Sequence, residues 1–281
     1  MSLKTIVTAP FFSLNLSDEK PAGNPLDYAA ELAASQGAHL AVAVSVMRTR
    51  APSAFFRDAK SVLEAANREM EEDARKFAAK AEASFATRGI SGDVDVLVDD
   101  FESLCSQVMK LARAADVTVM QPENSMMSLQ QSLLERLLFE SGRPVIVAPA
   151  NWTGSAAPQR IIVSWDGSAK SARAVGDALP LLQQARDIDI VSVTGDANAT
   201  KRLDGASIAR HLSRHCKSVN VTQLKAVDGD VATTLGDHAA MTRANLLVMG
   251  AYAHSRLRQF ILGGVTNTMI HDPKVPIFMS Y

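Results

Sequence analysis

The sequence predicts an α/β protein made of two tandem units, each a five-stranded parallel sheet flanked by helices. Three observations carry this. Short apolar runs alternate with helical stretches along all 281 residues, the pattern of parallel strands joined by right-handed crossovers. The pattern then restarts, because Ile161-Ile162-Val163-Ser164-Trp165 repeats the opening Thr5-Ile6-Val7-Thr8-Ala9, and an internal duplication sets the whole fold. Between the copies, Pro149 to Pro158 is rich in Ala, Pro, Gly and Ser, the composition of a linker. The units are therefore 1–150 and 151–281, each long enough to bury its own core.

In the first unit, Thr5 to Ala9 is a strand, followed by a loop containing Pro21 and Gly23. Asn24 caps a helix with Pro25 in its first position, and Gly37 closes it. Leu40 to Val46 is the second strand. A long amphipathic helix places Leu63, Met70, Ala74, Phe77, Ala81 and Phe85 on one face and ends at Arg88-Gly89. Val94 to Val98, Val117 to Met120 and Pro144 to Val147 are the remaining strands, with helices over Phe101 to Ala115 and Ser125 to Phe139 between them.

In the second unit, Ser168 caps a helix containing Ala172 and Val175. Strands follow at Ile188 to Val193, Val219 to Leu224, Leu246 to Met249 and Val275 to Met279. Where the first unit has its long helix, this one has a polar stretch from Gly195 to Gly205 and a short helix around Ile208 to Leu212.

A net charge of -1 gives no global attraction to nucleic acid or an anionic membrane. No apolar run is long enough to span a bilayer, and Met1-Ser2-Leu3-Lys4 leads straight into a strand without a signal peptide. A cytoplasmic protein is expected. Cys105 and Cys216 read as buried thiols. His211 and His215 share one helix face, as a metal pair would, but no carboxylate or cysteine pair at ligand spacing accompanies them. Asp228-Gly229-Asp230 reads as a turn and helix cap. Neither a Ser–His–Asp nor a Cys–His arrangement can be argued from spacing, and no Gly-Lys-Ser/Thr phosphate loop occurs.

Open parallel sheets bind ligands beyond the carboxyl ends of their strands. The richest strand end here is Leu246-Leu247-Val248-Met249-Gly250, which continues through Ala253, His254 and Arg256 to Gly263-Gly264-Val265-Thr266. It reads as a buried strand, a tight turn at Gly250, a short amphipathic segment, and a glycine pair opening a helix whose free N–H groups suit a phosphate. A strand, turn and helix with no ligand fits the local pattern as well. Arg256 and Arg258 are cations suited to neutralise phosphate charge, and His254 is a further candidate beside them. At the end of the first strand of this unit, Asp166 is placed either to accept hydrogen bonds from a ligand or to shape the turn before Ser168.

This stretch resembles the nucleotide loop of the universal stress protein family, which runs Gly, two residues, Gly, nine residues, Gly, then Ser or Thr. Gly250 and Gly263 match; Ala253 replaces the second Gly, and Gly264 stands at the hydroxyl position, with Thr266 two residues further on. The resemblance covers nearly the whole chain as two Rossmann-like (adenine nucleotide alpha hydrolase-like) domains. It implies a role in stress response and an adenine nucleotide, ATP or ADP with or without Mg, in the C-terminal half. The contacts it implies are Ser164, Trp165 and Asp166 at the first strand end, Val193 at the second, and Met249, Gly250, Ala253, His254, Arg256, Gly263, Gly264, Val265 and Thr266 along the loop. It also implies an internal pseudo-dimer through Pro144 to Val147 and Val275 to Met279, with a homodimer as a further option, and at most slow ATP hydrolysis. The alternative is a stress-response interaction scaffold that binds no nucleotide. The first unit carries Phe11 and Gln121-Pro122-Glu123 at its own strand ends and is expected not to bind ATP in the family manner.

Overall fold

A computed structural model of the chain describes residues 2–13, 25–49, 57–123, 128–194, 205–251, 253–255, 260–262 and 264–281. The N-terminal half runs β1 (Thr5–Thr8), β2 (Phe11–Phe12), α1 (Pro25–Gln36), β3 (His39–Met47), α2 (Arg57–Arg88), β4 (Gly92–Asp99), α3 (Phe101–Ala114), β5 (Val117–Met120), α4 (Leu129–Glu140) and β6 (Val145–Val147). The C-terminal half runs β7 (Arg160–Ser164), α5 (Ala169–Leu182), β8 (Asp187–Thr194), α6 (Gly205–Leu212), β9 (Val219–Lys225), α7 (Val231–Met241), β10 (Leu246–Gly250), β11 (Ala253–Ser255), β12 (Phe260–Leu262), α8 (Gly264–His271) and β13 (Ile277–Ser280).

Apolar runs bounded by turn residues become central strands because both their faces are covered by helices. β5 and β10 are buried at nearly every residue. One core layer lies under α1, α2, α5 and α6; the other lies under α3, α4, α7 and α8. The stripe predicted on α2 is real: Met70, Ala74, Ala81 and Phe85 are buried, with Phe77 packed alongside. Helix α4 starts later than the predicted Ser125, after Ser128, whose hydroxyl accepts the N–H of Gln131. The predicted cap Asn24, the loop residues Pro21 and Gly23, and the stretch from Gly195 to Asp204 lie outside the described residues.

Each half has the same strand order, β4-β3-β1-β5-β6 in one and β9-β8-β7-β10-β13 in the other, with parallel neighbours throughout. The short β2 extends the line of β1 along β3. The two parallel sheets are joined edge to edge by an antiparallel pair, β6 with β13, into one 11-stranded sheet. Matching clamps set the correspondence between halves. Asp116 accepts the N–H groups of Lys4 and Thr5, as Asn245 accepts those of Gln159 and Arg160. Counting from these clamps makes Ile146 equivalent to Phe278, and these two residues face each other across the seam.

The stretch read as a linker is tied down at both sides. Glu31 of α1 accepts from the Ser155 hydroxyl at 2.7 Å and the Ala156 N–H at 3.0 Å, and the Asn245 amide donates to the Ala157 carbonyl. Among the described residues, no helix is long and apolar enough to cross a membrane.

Candidate functional site

A cleft of about 290 Å³ opens at the carboxyl ends of β7 and β10. Its floor comes from the strands, through Ser164, Met249 and Gly250. One wall is the turn into α5, with Asp166, Lys170 and Ser171; the other is the first turn of α8, with Gly264, Val265 and Thr266. The sequence therefore brings together seven of the residues singled out above: Ser164, Asp166, Met249, Gly250, Gly264, Val265 and Thr266. Trp165 and Val193 do not line the cleft; they pack against the two core layers. Gly263 and Arg256, with Arg258, lie outside the described residues. Ala253 and His254 belong to β11.

Two local expectations change. Gly250 is the last residue of a strand, paired with Ser280, and not a turn. A Cβ there would sit 2.6 Å from the Lys170 carbonyl carbon and 2.7 Å from the Ser171 nitrogen, so the glycine lets β10 press against the start of α5. The segment read as amphipathic is an antiparallel ribbon, β11 with β12. Gly264 opens α8 as predicted, and nothing lies within 4 Å of where its Cβ would be. This first turn carries the positive end of the helix dipole.

Asp166 shapes its own turn: its Oδ1 accepts the Ser168 N–H at 2.9 Å. Ser168 in turn caps α5 by accepting from the Ser171 N–H at 3.1 Å. Burial pushes the Asp166 carboxyl up, but hydrogen bonds from Ser168 and Ser171 outweigh it and hold the group below its ordinary range. The carboxylate is thus ionised and its side chain exposed at the cleft.

Lys170, in the first turn of α5, is the cation that sequence reading missed. Burial lowers the pKa of its ammonium, which lies 3.5 Å from the ring centre of Tyr281. Tyr281 packs edge-on against Phe139 of α4, 5.0 Å between centroids. The cleft wall is thereby joined to the N-terminal half. The available signal was a lysine two residues after a capping serine at a first-strand end.

In the N-terminal half the position equivalent to Asp166 is Phe11, which meets Phe101 edge-on at 6.1 Å. The position equivalent to Gly250 is Gln121, buried with no partner for its side-chain oxygen. Arg136 of α4 makes a bidentate pair with Glu102 of α3 at 2.7 and 2.8 Å and covers the Phe101 ring.

Asp228 and Gly229 take left-handed backbone angles, and Asp230 caps α7 by accepting from the Thr233 N–H at 3.0 Å, the turn and cap read from sequence. The rings of His211 and His215 lie 4.9 Å apart, and no cluster of three or more metal-ligating side chains occurs among the described residues. Cys105 is buried and Cys216 half-buried, both free.

Residues 158–280 match the model of the universal stress protein family. This half of the chain is a universal stress protein domain. The whole chain has the fold of a universal stress protein from Archaeoglobus fulgidus DSM 4304, with a TM-score of 0.66 over 98% of this chain and 97% of that one at 16% identity. A protein of unknown function from Pseudomonas aeruginosa PAO1 aligns over 99% of this chain and 92% of its own, with a TM-score of 0.57 and 12% identity. Shorter universal stress proteins align with about half the chain; one, solved in complex with cAMP, covers 44% of this chain and 98% of its own at 18% identity and a TM-score of 0.36. By sequence, no curated protein matches the chain.

Proposed function

We propose that the C-terminal universal stress protein domain binds an adenine nucleotide, ATP or ADP, with its phosphates at the cleft between Lys170 and the first turn of α8. The observation that carries this reading is the open start of α8 at Gly264, facing a cleft that Lys170 also lines. Backbone N–H groups, a helix dipole and a lysine are together a phosphate-binding set. Thr266, buried in the same turn, adds a hydroxyl where the family motif has its own at the position of Gly264. A Mg ion would be carried chiefly by the phosphates, since Asp166 is the single carboxylate among the described cleft residues. Trp165, Val193, Ala253, His254, Arg256 and Gly263 complete the nucleotide-contact set in this reading. The two domains, 1–150 and 151–281, work as an internal pseudo-dimer in which one half binds and the other packs.

The competing reading, a stress-response scaffold without nucleotide, is favoured by volume: about 290 Å³ is at the small end for a ligand pocket. Calorimetric titration with MgATP separates the two. Lys170→Gln and Gly264→Glu are each expected to weaken binding at least about tenfold, the size of a lost or repelled charge-assisted contact. Unchanged affinity in both variants would sink the site, and no binding by the parent chain would favour the scaffold.

A further inference from the structure

A second cavity, about 620 Å³, lies at the opposite edge of the C-terminal half, where β7 and β8 begin. Four cations line it, Arg160, Arg186, Arg243 and Lys274, against one carboxylate, Asp187. Trp152 supplies an aromatic wall. Its ring lies so close over Gly154 that a Cβ there would be 2.4 Å away, and its buried indole N–H has no acceptor.

Two of the cations are held in place. Arg160 donates to the Thr242 carbonyl at 2.7 Å and to Asp187 at 3.3 Å, and Lys274 pairs with Asp237. Arg186 and Arg243 are exposed, and neither forms an ion pair among the described residues. Arg243 also sits in a left-handed conformation, φ 54°, at the exit of α7. The same conformation just past α1, α2 and α4 is filled by Gly37, Gly89 and Gly142, as the missing Cβ would lead one to expect. A cation near a helix C-terminus is favourable, but any site in the last turn would provide that without the strained backbone. Strain of this kind is retained where the side chain is used.

The fold does not need these charges. By the clamp correspondence, the equivalents of Arg160, Arg186, Arg243 and Lys274 in the N-terminal half are Thr5, Ala38, Ala114 and Gly142, all uncharged. The clamp itself is Asp116 there and the neutral Asn245 here. Of the basic residues that the N-terminal half does carry nearby, Arg113 and Arg143 donate to the backbone carbonyls of Glu140 and Arg113, and Lys4 stands at the position of Gln159.

We propose that this cavity is an anion site for a small molecule carrying two or more adjacent phosphoryl groups, held by Arg186 and Arg243 between the fixed charges of Arg160 and Lys274. Guanidinium forks match phosphoryl oxygens, several cations select a multiply charged ligand over a single carboxylate, and Trp152 offers a face for the rest of the molecule. The site is separate from the cleft at Gly264 and does not depend on it.

The probe is inorganic pyrophosphate, titrated into the full chain by calorimetry at fixed ionic strength. The expected result is a site weakened at least about tenfold in Arg186→Gln/Arg243→Gln and unchanged in Lys80→Gln, an exposed lysine of α2 outside both clefts. Both arginines are exposed, so the double variant should keep the parent's melting temperature. Three outcomes would overturn the proposal: no binding by the parent chain, equal binding by the double variant, or equal binding of sulfate. Loss of binding in Lys170→Gln alone would also overturn it, by assigning pyrophosphate to the other cleft while leaving the nucleotide reading standing.

Discussion

Gln36 and Gln184 exchange side-chain hydrogen bonds, each donating Nε2 to the other's Oε1, at 3.0 and 2.7 Å. They are equivalent positions in the two halves, at the ends of α1 and α5, so the local twofold relation passes between them as it does between Ile146 and Phe278. Gln36 is buried, so removing its partner takes the donor from its side-chain oxygen and leaves its Nε2 with the Ser35 hydroxyl at 3.3 Å. Gln184→Ala should cost about 1–2 kcal/mol, while Gln36→Leu/Gln184→Leu should cost less than the sum of the single changes. Urea unfolding of the four proteins in the cycle measures this, and purely additive costs would contradict it.

The two described glycines of the cleft should behave oppositely. Gly250→Ala drives a methyl into the backbone of Lys170 and Ser171, an overpacking of about 1–3 kcal/mol or more. Gly264→Ala meets open space and should be neutral or stabilising by about 0.4–1 kcal/mol through the unfolded chain. Denaturation midpoints for the pair check this; an equal loss in both would mean that α8 starts in a different geometry.

Nucleotide stoichiometry follows from the filled N-terminal site. With Phe11 against Phe101, and Gln121 buried where Gly250 stands in the other half, at most one adenine nucleotide should bind at the strand ends of the two halves. Equilibrium dialysis with ATP, run on the Arg186→Gln/Arg243→Gln chain so that the arginine-lined cavity does not contribute, should therefore saturate at one equivalent, and adding Lys170→Gln should lower the affinity without creating a second class of sites. Two equivalent sites would refute it.

The acid limb of stability should carry the signature of Asp166. Its folded pKa is depressed, so its stabilisation is complete above the unfolded value of about 3.9 and is lost as pH falls through the depressed folded value. Asp166→Ala should therefore be less stable than the parent at pH 6, and the gap should narrow towards pH 2. Because the group is exposed, the effect should also shrink in high salt. A gap that stays constant down to pH 2 would show that the carboxylate's charge contributes nothing.

The strands and the α2 stripe were legible because hydrophobic period and cap chemistry are local. Gly37 and Gly89 mark helix ends in sequence and take left-handed angles in the structure. What escaped is set by partners far away in the chain. The docking of Ser155 and Ala156 on Glu31, across about 125 positions, leaves no periodic trace, and Pro149 to Pro158 reads as a flexible stretch by composition alone. Gly250 looked like a turn because its requirement comes from Lys170 and Ser171 pressing on it. Lys170 was overlooked because nothing in its neighbours announces that the helix start faces the glycine strand. The side chains of Trp165 and Val193 pack against the two core layers, which their place at strand ends does not announce.

The antiparallel pairing of β6 with β13 has a consequence for assembly. Two separate chains meeting along such strands would come apart on dilution, because their contact is bimolecular. Here the strands are tethered by one folded connection, pinned at Glu31 and Asn245, so each sees the other at an effective concentration on the order of millimolar whatever the amount of protein present. The seam is therefore insensitive to expression level. A chain cut between Pro149 and Ser155 would regain the concentration dependence that the fusion removes.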